Sequence, residues 1–273
     1  MTACVLVFAG LDPGGGAGLA ADILAIAAQG AHPLPVATAL TAQDNNRVHA
    51  ASPVDAGWVA RQAAPLLAAF EIGAVKLGIP GNAANAAAIA DVIRTLRARR
   101  PDLPVVLDPV LASGHGDALG QGDAVKALGE LLALATIVLP NLPEHEALGG
   151  MRGAQALVTG GHAAGDTVVN RWLVDGAEAR AWHWPRLPHG YHGSGCTLAA
   201  ALAARLALGE GMEAALDAAQ TYTHHTLAQS YALAPGQRIP RRLPHLTISR
   251  QAERSPPCAA YTSSLQTGTI RKN

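Results

Sequence analysis

The stretch HGSGCTLAAALAARL (192–206) places Gly193, Ser194 and Gly195 where an alanine-rich helix begins. Unpaired N–H groups at a helix N-terminus attract anions, and glycines let a ligand approach the backbone closely. The same groups can stabilise the charge that builds on a transferring phosphoryl group, so Gly193, Ser194, Gly195 and Cys196 form a candidate catalytic anion hole. A glycine-rich helix start with Cys196 as a small core residue would give the same pattern. A general base at this point would ordinarily be a carboxylate. A thiol at a helix N-terminus can have its pKa lowered from about 8.5, and is then a modest base.

Two further groups of residues could take part in phosphate chemistry. GLDPGGGAGLAADI (10–23) is a glycine cluster leading into a helix that carries Asp22 in its first turns. No GK[ST] follows it, and counting from Gly14 the third glycine of a dinucleotide fingerprint falls on Leu19. What remains is a loop that can approach a ligand, or a tight strand-to-helix turn with none. VVLDPV (105–110) and PNLPE (140–144) supply Asp108, Asn141 and Glu144 near strand ends. Mg²⁺ binds few carboxylates and keeps several waters, so these residues could hold it. Asn141 and Glu144 could equally cap the helix that follows.

Short apolar runs alternate with longer helical patterns. Strands are expected at 5–9, 35–42, 74–79, 105–110, 136–141 and 156–161, with an antiparallel pair across 168–184. Helices are expected near 17–28, 55–70, 84–99, 195–208 and 212–232. This alternation implies an α/β fold, a mostly parallel sheet covered on both faces, with ligands beyond the carboxyl ends of its strands. Three strands end in polar residues, in LTAQDNN, LDPV and LPNLPE. From about 246 onward the chain is polar and aperiodic and reads as a disordered tail.

Composition excludes several classes of partner. Lys plus Arg and Asp plus Glu balance at 20 each, so no global field draws nucleic acid or anionic membrane. Aromatics are only 4%, too few for a base-stacking surface. No apolar run reaches the ~18 residues of a membrane span, and MTACVLVFAG lacks the basic start of a secretory signal. Three scattered cysteines without metal spacing suit a reducing cytoplasm. His224 and His225 point about 100° apart on a helix and cannot share an ion comfortably.

In order and spacing, AGLDPGGGAGLAADI, TALTAQ, KLGI, VVLDPV, SGHGDAL, PNLPEHEAL, VTGGH and HGSGCTLAAALAA resemble the hydroxymethylpyrimidine/phosphomethylpyrimidine kinases of thiamine biosynthesis, a branch of the ribokinase superfamily. Cys196 marks the branch, because most relatives in the superfamily carry Asp there. The resemblance covers residues 1–245 and implies a ribokinase-like three-layer αβα sandwich forming one kinase domain, with 246–273 as the tail. It implies ATP as co-substrate, Mg²⁺ as cofactor, a small pyrimidine substrate and a cytoplasmic enzyme; a homodimer fits, since family members are often dimers. Gly10, Ala17, Asp22, Gln43, Ile79 and Val110 would line the pyrimidine pocket. Asn141, Thr159, Gly160 and Gly161 would bind nucleotide and phosphate, and Asp108 and Glu144 would organise the metal.

The chain also departs from the family. Thr159 stands where a lysine usually precedes GGH, and the lysine usual after DPV is missing from DPVLASGHGD. Ile79 replaces a usual methionine, a tolerable exchange in an apolar wall. The connection GGMRGAQ lacks room for a helix, so apolar surface should be exposed there or covered by a partner. Alternative functions are therefore a pyridoxal kinase of the same superfamily and a non-catalytic pyrimidine sensor. Within the kinase reading, the thiol would serve as a base toward the alcohol, yet carry no fixed negative charge to repel the monophosphate.

Overall fold

The computed structural model describes residues 2–111, 124–149 and 155–243. The sheet is built outward from β1 (Cys4–Leu11), buried along nearly its whole length. Val5, Val7 and Ala9 enter one core cluster, while Cys4, Leu6 and Phe8 enter the other. That period of two makes both faces of the strand apolar, which requires helices on both sides. The other strands are β2 (His32–Gln43), β3 (Val48–Pro53), β4 (Ile72–Leu77), β5 (Val105–Leu107), β6 (Ile137–Val138), β7 (Gln155–Val158), β8 (Thr167–Val174) and β9 (Ala177–Pro185). Their spatial order is β3-β2-β1-β4-β5-β6-β7-β8-β9. The six from β2 to β7 in that order are parallel, and β3, β8 and β9 add antiparallel pairings at the two ends.

The helices are α1 (Gly18–Ala28), α2 (Ala56–Ala69), α3 (Ala83–Arg99), α4 (Ala124–Leu134), α5 (Leu142–Ala147), α6 (Ser194–Ala207) and α7 (Met212–Ala228). Side chains of α1, α6 and α7 fill one core, and those of α2, α3 and α4 fill the other. The architecture is thus the three-layer αβα sandwich that the sequence implied. Helix α6 is buried on nearly every side from Thr197 to Ala204, which its alanines permit by allowing close approach to the sheet. Because β1 pairs with β2 on one side and β4 on the other, the chain changes direction at β1. The crevice of such a switch point lies at the carboxyl ends of the strands.

Several elements differ from expectation. β3 and α4 were not anticipated, and β2 runs longer at both ends than 35–42. Helix α7 stops at Ala228 rather than 232, and the chain continues as a strap with bridges Tyr191↔Arg238 and Tyr231↔Ile239. None of the exposed large apolar side chains among the described residues lies on β6, α5 or β7, so the exposed surface expected from a short connection is not seen there. Most of GGMRGAQ, all of SGHGDAL and the tail from 246 onward lie outside the described residues. Residues up to Leu243 form one compact unit. No helix among the described residues is long and apolar enough to cross a membrane.

Candidate active site

The carboxyl ends of the parallel strands open into a cavity of about 670 Å³. Gly10, Ala17, Gln43, Ile79 and Val110 line it together with Gly193, Ser194, Gly195 and Cys196. Gln43 sits where β2 turns into β3, and the turn is tied down by Asn46. The Asn46 amide donates to the Pro235 carbonyl at 2.9 Å, and its oxygen accepts from the Gln237 N–H at 3.0 Å. One wall therefore depends on the strap after α7.

The glycine-rich loop is organised by Asp12, which is 2% exposed. Its carboxylate accepts from the N–H groups of Gly14, Gly16 and Ala17 and meets His192 Nε2 at 2.8 Å. Burial opposes ionisation there, but His192 and the Ala17 and Gly14 amides outweigh it and hold Asp12 below its ordinary value. At the other side of this contact, Gly193 caps α6 with φ 78°, a left-handed conformation that favours glycine. Its carbonyl accepts the first helical hydrogen bond, from Thr197 N at 3.0 Å. The N–H groups of Ser194, Gly195 and Cys196 precede that bond and have no partner within the helix.

Four ionisable side chains cluster beneath. Lys76 Nζ lies 2.9 Å from Asp22 Oδ2, with neither side chain exposed. Asp108 is 5% exposed, and Asp108 Oδ2 and Asp22 Oδ1 are buried without a partner. Burial pulls Lys76 toward neutrality, but Asp22, Cys196 and Asp108 outweigh it and keep the ammonium charged. Burial raises Asp22 to about 6 despite Lys76, and it also raises Asp108 against the pull of Lys76 and the Cys196 thiol. Burial pushes Cys196 up to about 12, an effect that Lys76 only partly offsets and that Asp108 and Asp22 reinforce. This runs against the expectation of an acidified thiol: desolvation and the neighbouring carboxylates push Cys196 upward, against the helix dipole.

Asn141 and Glu144 form a complete capping box for α5, with both reciprocal hydrogen bonds at 2.9 Å. Both also line the cavity. Burial and the nearby Asp108 carboxylate raise Glu144 to about 7. No group of three or more His, Cys, Asp or Glu suited to a metal occurs among the described residues. Two carboxylates that disfavour each other's charge, one with a partnerless oxygen, nonetheless fit a Mg²⁺ that keeps most of its waters. Softer metals would ask for more protein ligands.

Thr159 and Gly161 line the cavity near β7. Gly160 does not: its N–H donates to Asn170 Oδ1 at 3.0 Å, and Asn170 in turn donates to Gln220 at 2.9 Å. It supports the loop after β7 rather than touching the cavity. Asp22 is the second correction. The helical turn that carries it directs it down to Lys76, so it lies beneath the cavity instead of lining it. His224 stacks on Trp184 at 5.0 Å, consistent with a packing role.

Lys76, Asp12 and His192 were missed as site-forming residues. Lys76 left a signal, since a lysine inside the apolar run AVKLGI must find a buried carboxylate.

The family model described as phosphomethylpyrimidine kinase matches residues 12–156 and 150–240. A hydroxymethylpyrimidine/phosphomethylpyrimidine kinase of Rhizobium meliloti (strain 1021) is 38% identical over 260 residues, covering 87% of this chain and 95% of the relative. Among solved structures, an ADP complex of Bacillus subtilis pyridoxal kinase aligns with a TM-score of 0.76 at 26% identity, covering 89% of this chain and 98% of the other. Phosphomethylpyrimidine kinase from Clostridium difficile 630 aligns with a TM-score of 0.67 at 26% identity, covering 81% and 97%.

Proposed function

The chain belongs to the phosphomethylpyrimidine kinase family, and on that premise we propose that it transfers the γ-phosphoryl group of ATP to 4-amino-5-hydroxymethyl-2-methylpyrimidine and then to the monophosphate, in thiamine biosynthesis. The observation that carries this reading is the sharing of one cavity by Gln43, the apolar wall of Ile79 and Val110, and the N-terminus of α6. Gln43 offers a donor and an acceptor to the pyrimidine edge, which presents both. Ile79 and Val110 pack on the ring, and Gly10 and Ala17 leave room for it. Thr159 and Gly161 flank the nucleotide, with Gly160 held behind them.

The N–H groups of Ser194, Gly195 and Cys196 receive the moving phosphoryl group, the main service a loose phosphoryl-transfer transition state requires. In the first step the hydroxyl proton leaves to solvent as the oxygen attacks, a loss for which a loose transition state asks little of a base. The second step needs no base, because the attacking phosphate oxygen is already ionised. Cys196 remains neutral through both. Asp108, Glu144 and Asn141 would hold Mg²⁺, which when bound offsets phosphate charge. A cytoplasmic location and a homodimer belong to the same proposal.

The likeness to a pyridoxal kinase structure favours a second reading in which vitamin B6 is the acceptor. Coupled ADP release with hydroxymethylpyrimidine, its monophosphate and pyridoxal distinguishes the two. Turnover of both pyrimidines is expected, with pyridoxal at least tenfold lower in kcat/KM. Turnover of pyridoxal alone would overturn the assignment, and tight pyrimidine binding without ADP release would indicate a sensor.

A further inference from the structure

Arg242 belongs to the segment IPRRL that ends the described chain beyond α7, yet it is only 2% exposed. Its Nε donates to Thr197 Oγ1 at 2.8 Å, and its Nη2 donates to the carbonyls of Gly16 and Gly193. Nη1 is buried without a partner. The segment itself is anchored where Tyr222 donates its hydroxyl to the Arg242 carbonyl at 2.8 Å. One guanidinium thus touches the glycine-rich loop, the N-cap of α6 and the first turn of α6.

Two physical points make this arrangement more than packing. The Gly193 carbonyl accepts the first hydrogen bond of α6, so whatever fixes that peptide also fixes where the next N–H groups point. A Cβ on Gly193 would collide with the Gly16 carbonyl and with Nη2 itself, so the three groups meet without slack. In addition, an arginine cannot shed its charge, and a cation beside a helix N-terminus is repelled by the macrodipole. The free protein bears that cost, and an anion arriving at Ser194–Cys196 relieves it. Asp22 and Cys196 lie close enough for the charge to be felt at the cavity floor.

We propose that Arg242 is a positioning residue for phosphoryl transfer, locking the glycine-rich loop to the anion hole and placing a fixed positive charge behind it. The catalytic part rests on the kinase reading; the locking part does not.

Arg242→Met and Arg242→Lys test it by two readouts. The first is amide hydrogen exchange at Gly16, Ala17 and Thr197 in the free protein, which needs no substrate. In Arg242→Met, exchange should rise about tenfold or more on both loops together, as expected of a local opening. The second is coupled turnover, in which kcat should fall on the order of 100-fold while KM for the pyrimidine stays within about threefold, as for a misplaced catalytic constellation. Arg242→Lys, keeping charge without the fork, should recover part of kcat and little of the protection. Wild-type exchange at either loop, or a kcat within twofold of wild type in Arg242→Met, would overturn the proposal. A wild-type protein that releases no ADP would instead count against the kinase reading, and exchange alone would then decide whether Arg242 is the lock.

Discussion

The ammonium of Lys76 meets the carboxylate of Asp22 at 2.9 Å on the floor of the cavity, with neither side chain exposed. The pair ties β4 to α1, the helix that follows β1, where the sheet changes direction. It therefore fixes the spacing between the glycine-rich loop and the strand that leads to Ile79 in the cavity wall.

Lys76→Met leaves a buried carboxylate without its partner and should cost about 3–5 kcal/mol in denaturant unfolding. Asp22 at about 6 in the fold, against about 4 in an unfolded chain, binds its proton more tightly when folded. Its contribution to stability therefore falls as pH rises through that window. Without Lys76 the folded pKa climbs further, so the variant should lose stability more steeply than wild type between about pH 5 and 8. Parallel pH–stability curves for the two proteins would show that the pair does not govern Asp22.

Gly195→Ala should separate stability from activity. The added Cβ would sit 3.6 Å from Asp108 Oδ1, an ordinary contact, and alanine is favoured over glycine within a helix by up to about 1 kcal/mol. The same methyl occupies the space where a phosphoryl group must approach the α6 amides. The expected result is an unchanged or raised Tm with kcat at least tenfold lower; unimpaired kcat would place the phosphoryl group elsewhere.

The sequence made some of this legible and concealed the rest, for identifiable reasons. The parallel core was readable because both faces of β1 are apolar, leaving only a two-sided sheet as the answer. β3 was not, because VHAASP pairs only with β2 and none of its residues is buried, so no apolar run marks it. Asp22 was placed in the pocket by the family resemblance, but helical spacing turns it toward Lys76. Cys196 was read as acidified because helix position is visible in sequence, while its burial and the carboxylates that oppose it, from α1 and the end of β5, are not. Arg242 gives no local sign of burial in IPRRL, because its acceptors are backbone carbonyls from loops far away in the chain.

Gln43→Leu tests the substrate end of the cavity. Losing an amide that pairs with a heterocycle costs about 1–3 kcal/mol, so KM for the pyrimidine should rise roughly 5- to 150-fold. Affinity for ATP should stay within about twofold, because the residues proposed to flank the nucleotide follow β7, five strands away from β2 in the sheet. Titrating both substrates in the ADP-release assay reads the two effects separately, and an equal loss for both would remove Gln43 from the pyrimidine site.

In the proposed mechanism an uncharged Cys196 would let one site accept first an alcohol and then a phosphomonoester. Cys196→Asp is its most direct test, with the two steps followed separately by ³¹P NMR from hydroxymethylpyrimidine and from its monophosphate. A fixed carboxylate at the anion hole should repel the incoming phosphate, so the second step should fall by about 100-fold or more in kcat/KM while the first stays within about tenfold. A second step that proceeds undiminished in Cys196→Asp would contradict the assignment.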